Sequence, residues 1–419
     1  MRILFLTQVL PYPLDAGPKI RAYYVLRHLA QQHQVTLISF VRPNDTPEAI
    51  AHLESFCEQV ITLPMPRSRL RDVLAMGRSL ANREPFLITR DWVPEMEAAL
   101  HTLLAEGHYD AVHADQLWMA QYALQVASSK FQVRNPQSAF RLPRLVLDQH
   151  NAVFQIPQRM AQYEANPLKR VLLKLEWRKL ARYEAQVCQQ FDHVVWVTQE
   201  DLDAVQAQTQ RSQSPIRNLQ PATCNSIIPI CIAPQEVQPI TLLTNQPNLL
   251  FLGGMHWPPN AEGVRWFVSE IWPRVREQIP AARLQIIGKS PPPELSLAPG
   301  VIAPGYVDDV TPYWCNSRAF IVPLRAGGGM RVKILDAWAR GLPVISTTIG
   351  AEGIKCQDGE DILIADTPGD FANAVVRVLS EEALAPQLAQ GGRSTVEAHY
   401  DWRKVYTAWD DIYSPGSSR

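Results

Sequence analysis

The chain of 419 residues has no two cysteines spaced as CxxC. Its six cysteines, Cys57, Cys188, Cys224, Cys231, Cys315 and Cys356, are scattered. That pattern excludes a CxxC zinc site and a disulfide framework, and it fits a reducing compartment. A dominant charge is also lacking. The formal net charge is −1, so no global field draws the chain to nucleic acid, and no such partner is expected. No uncharged apolar run approaches the ~20 residues of a membrane-spanning helix. The first apolar run, Ile3 to Leu10, is broken by Pro11 and Pro13, and no small-residue cleavage site follows. It reads as a buried strand rather than a secretory leader, and a cytoplasmic location is expected. GxxxxGK[ST] is missing, as is GxGxxG with its acidic partner. An ATPase P-loop is therefore excluded, and a dinucleotide cofactor is disfavoured. No DxD-type acidic cluster lies beside the Gly-rich turns, so no metal site is expected.

What remains is a globular composition, 46% apolar and 19% charged, long enough for two domains. "RILFLT", "QVTLISF", "DAVHA", "RLVLDQH" and "HVVWVT" are short apolar runs that read as buried parallel strands. "PKIRAYYVLRHLAQQ" between the first two has helical spacing, which makes a βαβ unit. A long helical stretch is expected from Gln158 to Gln190. The Pro-rich segment Ile232 to Asn248 reads as a linker. The alternation then restarts: "LLFLGG" strand, "NAEGVRWFVSEIWPRV" helix, "RLQIIG" strand, a short helix at Asp308 to Asn316, "AFIVPL" strand, "RVKILDAWARG" helix, "PVIST" strand. Two doubly wound Rossmann-like domains are predicted, over 1–238 and 239–398. In the last segment, 399–419, Trp402, Val405, Tyr406, Trp409, Ile412 and Tyr413 recur at helical spacing. They predict a helix, Trp402 to Tyr413, that returns to the first domain.

Tandem Rossmann-like domains hold ligands at the carboxyl ends of their strands, and facing edges would make a central cleft. Gly-rich turns follow strands in both halves: Gly17 in "PYPLDAGPKIR", Gly253 and Gly254 in "GGMHWPPN", Gly288 in "GKSPPP". The strongest is "PLRAGGGMRVKILDAWARGLPVIS". There Gly327 to Gly329 lead into a helix expected to start near Met330. Backbone N–H groups at a helix start attract anions. Arg331 and Lys333 add formal charge beside them, which suits a diphosphate. Asp336, one turn on, could accept hydrogen bonds from ribose hydroxyls. Equally, it could pair with Lys333 and Arg340 on the helix surface.

At this point the sequence resembles the retaining GT-B glycosyltransferases, specifically family 4 in its bacterial polysaccharide-synthesis branch. The resemblance is carried by "LFLGGMHWPPNAEGVRWF", "GYVDDVTPYWCNSRAFIVPLRAGGGMRVKILDAWARGLPVISTTIGAEGI", "DGEDILIAD", "DQHNAVF" and "HYDWRKVYTAWDDIY", and it covers nearly the whole chain. It implies a hexosyltransferase-type enzyme that moves a sugar from a UDP- or GDP-linked donor to a glycan or lipid-linked acceptor. Configuration is retained, and no metal or cofactor is used. Donor contacts are expected at Gly17, Arg21, Gly254, Asn260, Gly288, Tyr306, Val307, Gly328, Gly329, Met330 and Asp336; the resemblance implies the ribose role for Asp336 and that Tyr306 and Val307 hold the base. It implies His150 as a cleft residue, and because the positions of the family's cationic pair are uncharged here, Arg331 and Lys333 are expected to take over neutralising the leaving diphosphate. Two departures stand out. The first glutamate of the family's pair falls on Gly328, and its cationic pair falls near Met255 and Asn260.

Two basic stretches bear on the acceptor. Gln158 to Arg182 has seven Lys/Arg against two Glu, and Arg67 to Arg90 has six Arg against two acids. Each is either a solvated helix face or a peripheral docking site for the anionic inner face of a membrane. Two other functions share this plan. A hydrolysing nucleotide-sugar epimerase would release nucleotide without an acceptor. A non-catalytic partner in polysaccharide assembly would bind nucleotide without turnover.

Overall fold

The computed structural model describes residues 1–82, 84–126, 143–211, 223–241 and 246–414. The chain divides into two compact units. One is Met1–Cys231 joined by Arg403–Arg419, and the other is Ile232–Trp402. Residues 242–245 of the segment read as a linker lie outside the described residues.

The first unit is built on seven parallel strands: β1 (Arg2–Thr7), β2 (Gln34–Val41), β3 (Gln59–Pro64), β4 (Ala111–Asp115), β5 (Arg144–Gln149), β6 (His193–Trp196) and β7 (Cys224–Ile227). Their order is β3-β2-β1-β4-β5-β6-β7. The second has six: β8 (Asn248–Leu252), β9 (Arg283–Ile287), β10 (Val301–Gly305), β11 (Ala319–Val322), β12 (Val344–Ser346) and β13 (Leu363–Ile364), in the order β10-β9-β8-β11-β12-β13. Both are doubly wound sheets with helices between successive strands. The central strands are apolar because both of their faces are covered. Ile3 to Leu6 and all of β4 are buried.

Four strands have no counterpart in the sequence reading: β3, β7, β10 and β13. All lie at or next to a sheet edge. Strand β7 ("CNSI") is mostly exposed, and β10 ("VIAPG") alternates in burial and carries Pro304 and a register shift. A strand covered on one side needs few apolar residues, so its signal is weak. The stretch expected as one helix, Gln158 to Gln190, is two: Gln155–Tyr163 and Pro167–Cys188. Asn166 ends the continuity. Its side chain caps the second helix by accepting from Leu168 N and Lys169 N, and Pro167 occupies the first turn, where no N–H is needed.

The C-terminal segment is likewise two short helices, Trp402–Val405 and Ala408–Tyr413, rather than one. From Arg403 onward it belongs to the first unit. Tyr406, Trp409 and Tyr413 are fully buried there. Tyr413 Oη lies 2.7 Å from His113 Nδ1, and Tyr406 Oη accepts from Arg21 Nη1 and from Cys231 N. Asp410 meets His28 Nε2 at 2.8 Å. We expect Trp409→Ala to cost the first unit about 3–5 kcal/mol, the range for deleting a buried aromatic. Chemical denaturation followed by calorimetry checks this, and an unchanged first-unit transition would contradict it.

Candidate functional site

In the second unit the order of strands reverses between β8 and β11. Open α/β sheets bind ligands at the carboxyl ends of the two strands that flank such a reversal. Gly253 and Gly254 follow β8 there, and the 323–331 loop follows β11. Across the gap, Lys333 Nζ donates to Asn260 Oδ1 at 3.2 Å, and Asn260 Nδ2 donates to Gly254 O at 3.0 Å. The ammonium also sits 4.5 Å from the centre of the Phe251 ring. A Cβ on Gly253 would lie 2.7 Å from Lys333 Nζ, so the glycine makes room for the cation. Gly288, with φ +148°, fits against Gly253 O, which a Cβ would approach to 2.1 Å. Lys289 lies over the ring of Tyr306, which is 62% exposed just after β10. Val307 follows it, half-buried. Thus Gly254, Asn260, Lys333 and Gly288 are brought together, with Tyr306 and Val307 on the flank beyond Lys289.

Lys333 forms no ion pair among the described residues. Burial, and next to it the charge of Arg331, lower its pKa to about 7. It stands at the strand-order reversal with no carboxylate paired to it among the described residues.

Arg331 is different. It is buried, and its guanidinium donates to Gly328 O at 2.5 Å, to Gly329 O, and to Ile349 O at 3.5 Å. Gly327 and Gly329 take φ +137° and +69°, which fold the loop around this guanidinium. Arg331 braces the loop from the position just before the next helix, which starts at Val332 rather than near Met330. Gly328, Gly329 and Met330 are all buried. Asp336 accepts from Arg340 Nε at 3.1 Å, the i,i+4 pairing that the sequence allowed. Its carboxylate is still about a third exposed. Burial pushes its pKa up, against the pull of Arg340.

The first unit has its own reversal, between β1 and β4. His113, Asp115, Asp148 and His150 gather on β4 and at the end of β5. His150 Nε2 lies 2.8 Å from Asp115 Oδ1 and 3.7 Å from Asp148 Oδ2. Burial would lower the pKa of His150, but the two carboxylates, Asp115 foremost, raise it to about 9. His113 goes the other way. It is stacked on Phe5 with ring centres 4.0 Å apart, and burial lowers its pKa to about 3. His113, Asp115 and Asp148 place ligand-type atoms within 4.8 Å of one another. However, Asp148 already takes a two-pronged bond from Arg21, at 2.9 and 3.0 Å, and Asp115 faces His150. The two carboxylates are matched by two cations.

Arg21 is therefore placed otherwise than as a donor contact. It is wholly buried, its guanidinium also donates to Pro229 O at 2.6 Å, and it lies 5.1 Å from the Trp409 ring. The sequence could not show that the C-terminal aromatics would cover it. Gly17 is the first residue of the helix that carries Arg21, Gly17–Leu29. Two features of this site escaped the sequence reading. Gln116 adopts φ +69° just after β4, a strained value for glutamine, and Thr7 Oγ1 is buried without a hydrogen bond among the described residues.

Residues 246–381 match the family model described as Glycosyl transferases group 1. That region holds every residue of the β8/β11 site. Two curated relatives share stretches of sequence. An uncharacterized 44.6 kDa protein in the cps region of Klebsiella pneumoniae is 27% identical over 172 residues, 38% of this chain and 44% of that protein. The lipopolysaccharide core biosynthesis glycosyltransferase LpsE of Rhizobium meliloti is 28% identical over 108 residues, 25% of this chain and 31% of that protein. The chain thus spans less than half the length of these relatives. Solved structures match across 99% of the chain. Sucrose-phosphate synthase from Thermosynechococcus elongatus has TM-score 0.69 at 18% identity over 98% of its own chain. HepE from Anabaena, in complex with UDP and glucose, has TM-score 0.62 at 12% identity over 99% of its chain. WaaG, a glycosyltransferase involved in lipopolysaccharide biosynthesis, has 0.58 at 14%, over its full chain. The fold is GT-B.

The two cations should separate in mutagenesis. Arg331→Ala strips buried carbonyls of a charged donor and should lower second-unit stability by about 2–4 kcal/mol. Lys333→Met removes a poorly compensated charge beside Phe251 and should leave stability unchanged or higher. Thermal melting of both variants checks this. A larger loss in Lys333→Met than in Arg331→Ala would contradict the assignment.

Proposed function

We propose that the chain transfers a sugar from a UDP- or GDP-linked donor to a glycan or lipid-linked acceptor in polysaccharide synthesis. Configuration is retained at the anomeric carbon, and no metal takes part. One observation carries this reading: Lys333, a cation without a carboxylate partner among the described residues, stands beside Gly253, Gly254 and Asn260 where the strand order reverses. The match of residues 246–381 to Glycosyl transferases group 1 supports it.

Breaking the bond from sugar C1 to phosphate leaves negative charge on the diphosphate and oxocarbenium character on the ring. Lys333 receives that diphosphate, and its attraction grows as the charge develops. It supplies the positive charge that a divalent metal would otherwise bring. Arg331 acts as a positioning residue that braces the glycine loop through its carbonyls. Asp336 keeps one exposed edge for the ribose hydroxyls, and Tyr306 and Val307 flank the base. In the first unit His150 is held as imidazolium by Asp115 and Asp148, so it offers a hydrogen bond rather than a free base. The acceptor proton passes to the leaving phosphate on the same face of the sugar, which gives retention.

The direct test supplies UDP- and GDP-sugars with lipid-linked glycan acceptors, with and without EDTA, and reads the product by NMR. The expected product carries the donor's anomeric configuration and forms in EDTA. Loss of turnover in EDTA restored by magnesium would overturn metal independence. Nucleotide released without acceptor would indicate the hydrolysing epimerase, and binding without turnover the assembly partner.

A pH dependence follows from Lys333. With its pKa lowered to about 7 by burial and by the charge of Arg331, the free protein carries Lys333 largely neutral well above that pH. A bound diphosphate raises that pKa, so binding above neutral pH takes up protons, and affinity falls as pH rises. Calorimetric titration in buffers of different ionisation heat measures the uptake. Lys333→Met should abolish it, and equal uptake in the variant would refute the role.

A further inference from the structure

Helix Pro167–Cys188 runs for 22 residues, yet its buried side chains begin only at Leu180. Before that, Leu168, Val171, Leu172 and Leu175 are 44–69% exposed. Their i, i+3, i+4, i+7 spacing makes one stripe. Helix Arg69–Asn82 repeats the pattern. Only Ala75 and Ser79 are buried, while Leu70, Val73, Leu74 and Leu80 are 60–69% exposed. Lys179 Nζ donates to Ser79 O at 2.8 Å and to Ser79 Oγ at 3.0 Å, which fastens the two helices together. Exposed leucines in this number mark an interaction surface.

Charge identifies the occupant. Arg69, Arg78, Lys169, Lys174, Arg178 and Arg182 are exposed. The acids of the longer helix turn inward. Glu176 accepts from Phe86 N and Leu87 N, and Glu184 is wholly buried and accepts from Val153 N and Phe154 N. The outward side of that helix therefore shows cations and aliphatic side chains. A second copy paired face to face would set like charges against each other.

We propose that these two helices seat the first unit on an anionic bilayer surface. The leucines and valines enter the headgroup–acyl boundary, and the Lys and Arg stems reach past them to lipid phosphates. The sequence left a solvated face and a membrane face open. The exposed aliphatic stripes decide for the membrane, because a solvated helix has no use for them.

The experiment is cosedimentation of the full chain with vesicles of phosphatidylcholine alone or with phosphatidylglycerol added, which needs no turnover and so stands apart from the glycosyl-transfer reading. Wild type should bind only the anionic vesicles, and more weakly as salt rises. K169E/K174E/R178E should lower partitioning on the order of a hundredfold. L168S/L172S, with L70S/L74S as an independent pair, should each lower it about tenfold or more and remove the part that survives high salt. These side chains are exposed, so unchanged melting should accompany the loss. Equal binding to both vesicle types, or none, would overturn the proposal. So would full binding by both serine pairs, which would mean plain electrostatic adsorption. Self-association in sedimentation velocity that the serine pairs abolish, without vesicle binding, would assign the surface to a second copy instead.

Discussion

A doubly wound parallel sheet leaves ligand space where its strand order reverses, because neighbouring loops there leave on opposite faces. Each unit has one reversal, next to its first strand: β1 against β4, and β8 against β11. The polar and glycine residues that matter collect at these two places. Asn260 and Lys333 are 73 residues apart and meet only because the strands ahead of their helices are adjacent.

The two reversals differ in charge balance. In the first unit Arg21 pairs with Asp148 and His150 with Asp115, so the charges balance in the interior. Breaking such a buried set is costly, since it leaves a charge uncompensated. Arg21 also lies over the rings of Tyr406 and Trp409, so this set ties those aromatics to the first sheet. In the second unit the ammonium of Lys333 has one hydrogen bond to an amide oxygen and an aromatic face. No carboxylate among the described residues balances it, in contrast to the paired set of the first unit.

The central strands were legible in the sequence because burial on both faces leaves continuous apolar runs. β7 and β10 were not, because an edge needs little apolar cover. The glycines were legible as Gly-rich turns after strands; after β11, Gly327 and Gly329 take φ +137° and +69°, while after β8 Gly253 leaves room for Lys333 and Asn260. The separate fates of Arg331 and Lys333 were not. Two residues apart on paper, one turns back to its own loop and the other crosses to Asn260. Arg21 misled for a similar reason. Its position beside a glycine turn suggests a ligand, and its burial depends on Tyr406 and Trp409, almost 400 residues later.

The central claim is that Lys333 marks a diphosphate site and Asp336 the adjoining ribose. Calorimetric titration of a nucleoside diphosphate and of its nucleoside, into wild type, Lys333→Met and Asp336→Ala, tests it most directly. Lys333→Met should weaken the diphosphate by about 1.5–3 kcal/mol, the range for hydrogen bonds to a charged group, and leave the nucleoside unchanged. Asp336→Ala should weaken both ligands. Equal affinities across the three proteins would contradict the account and reduce the β8/β11 crevice to an ordinary pair of turns.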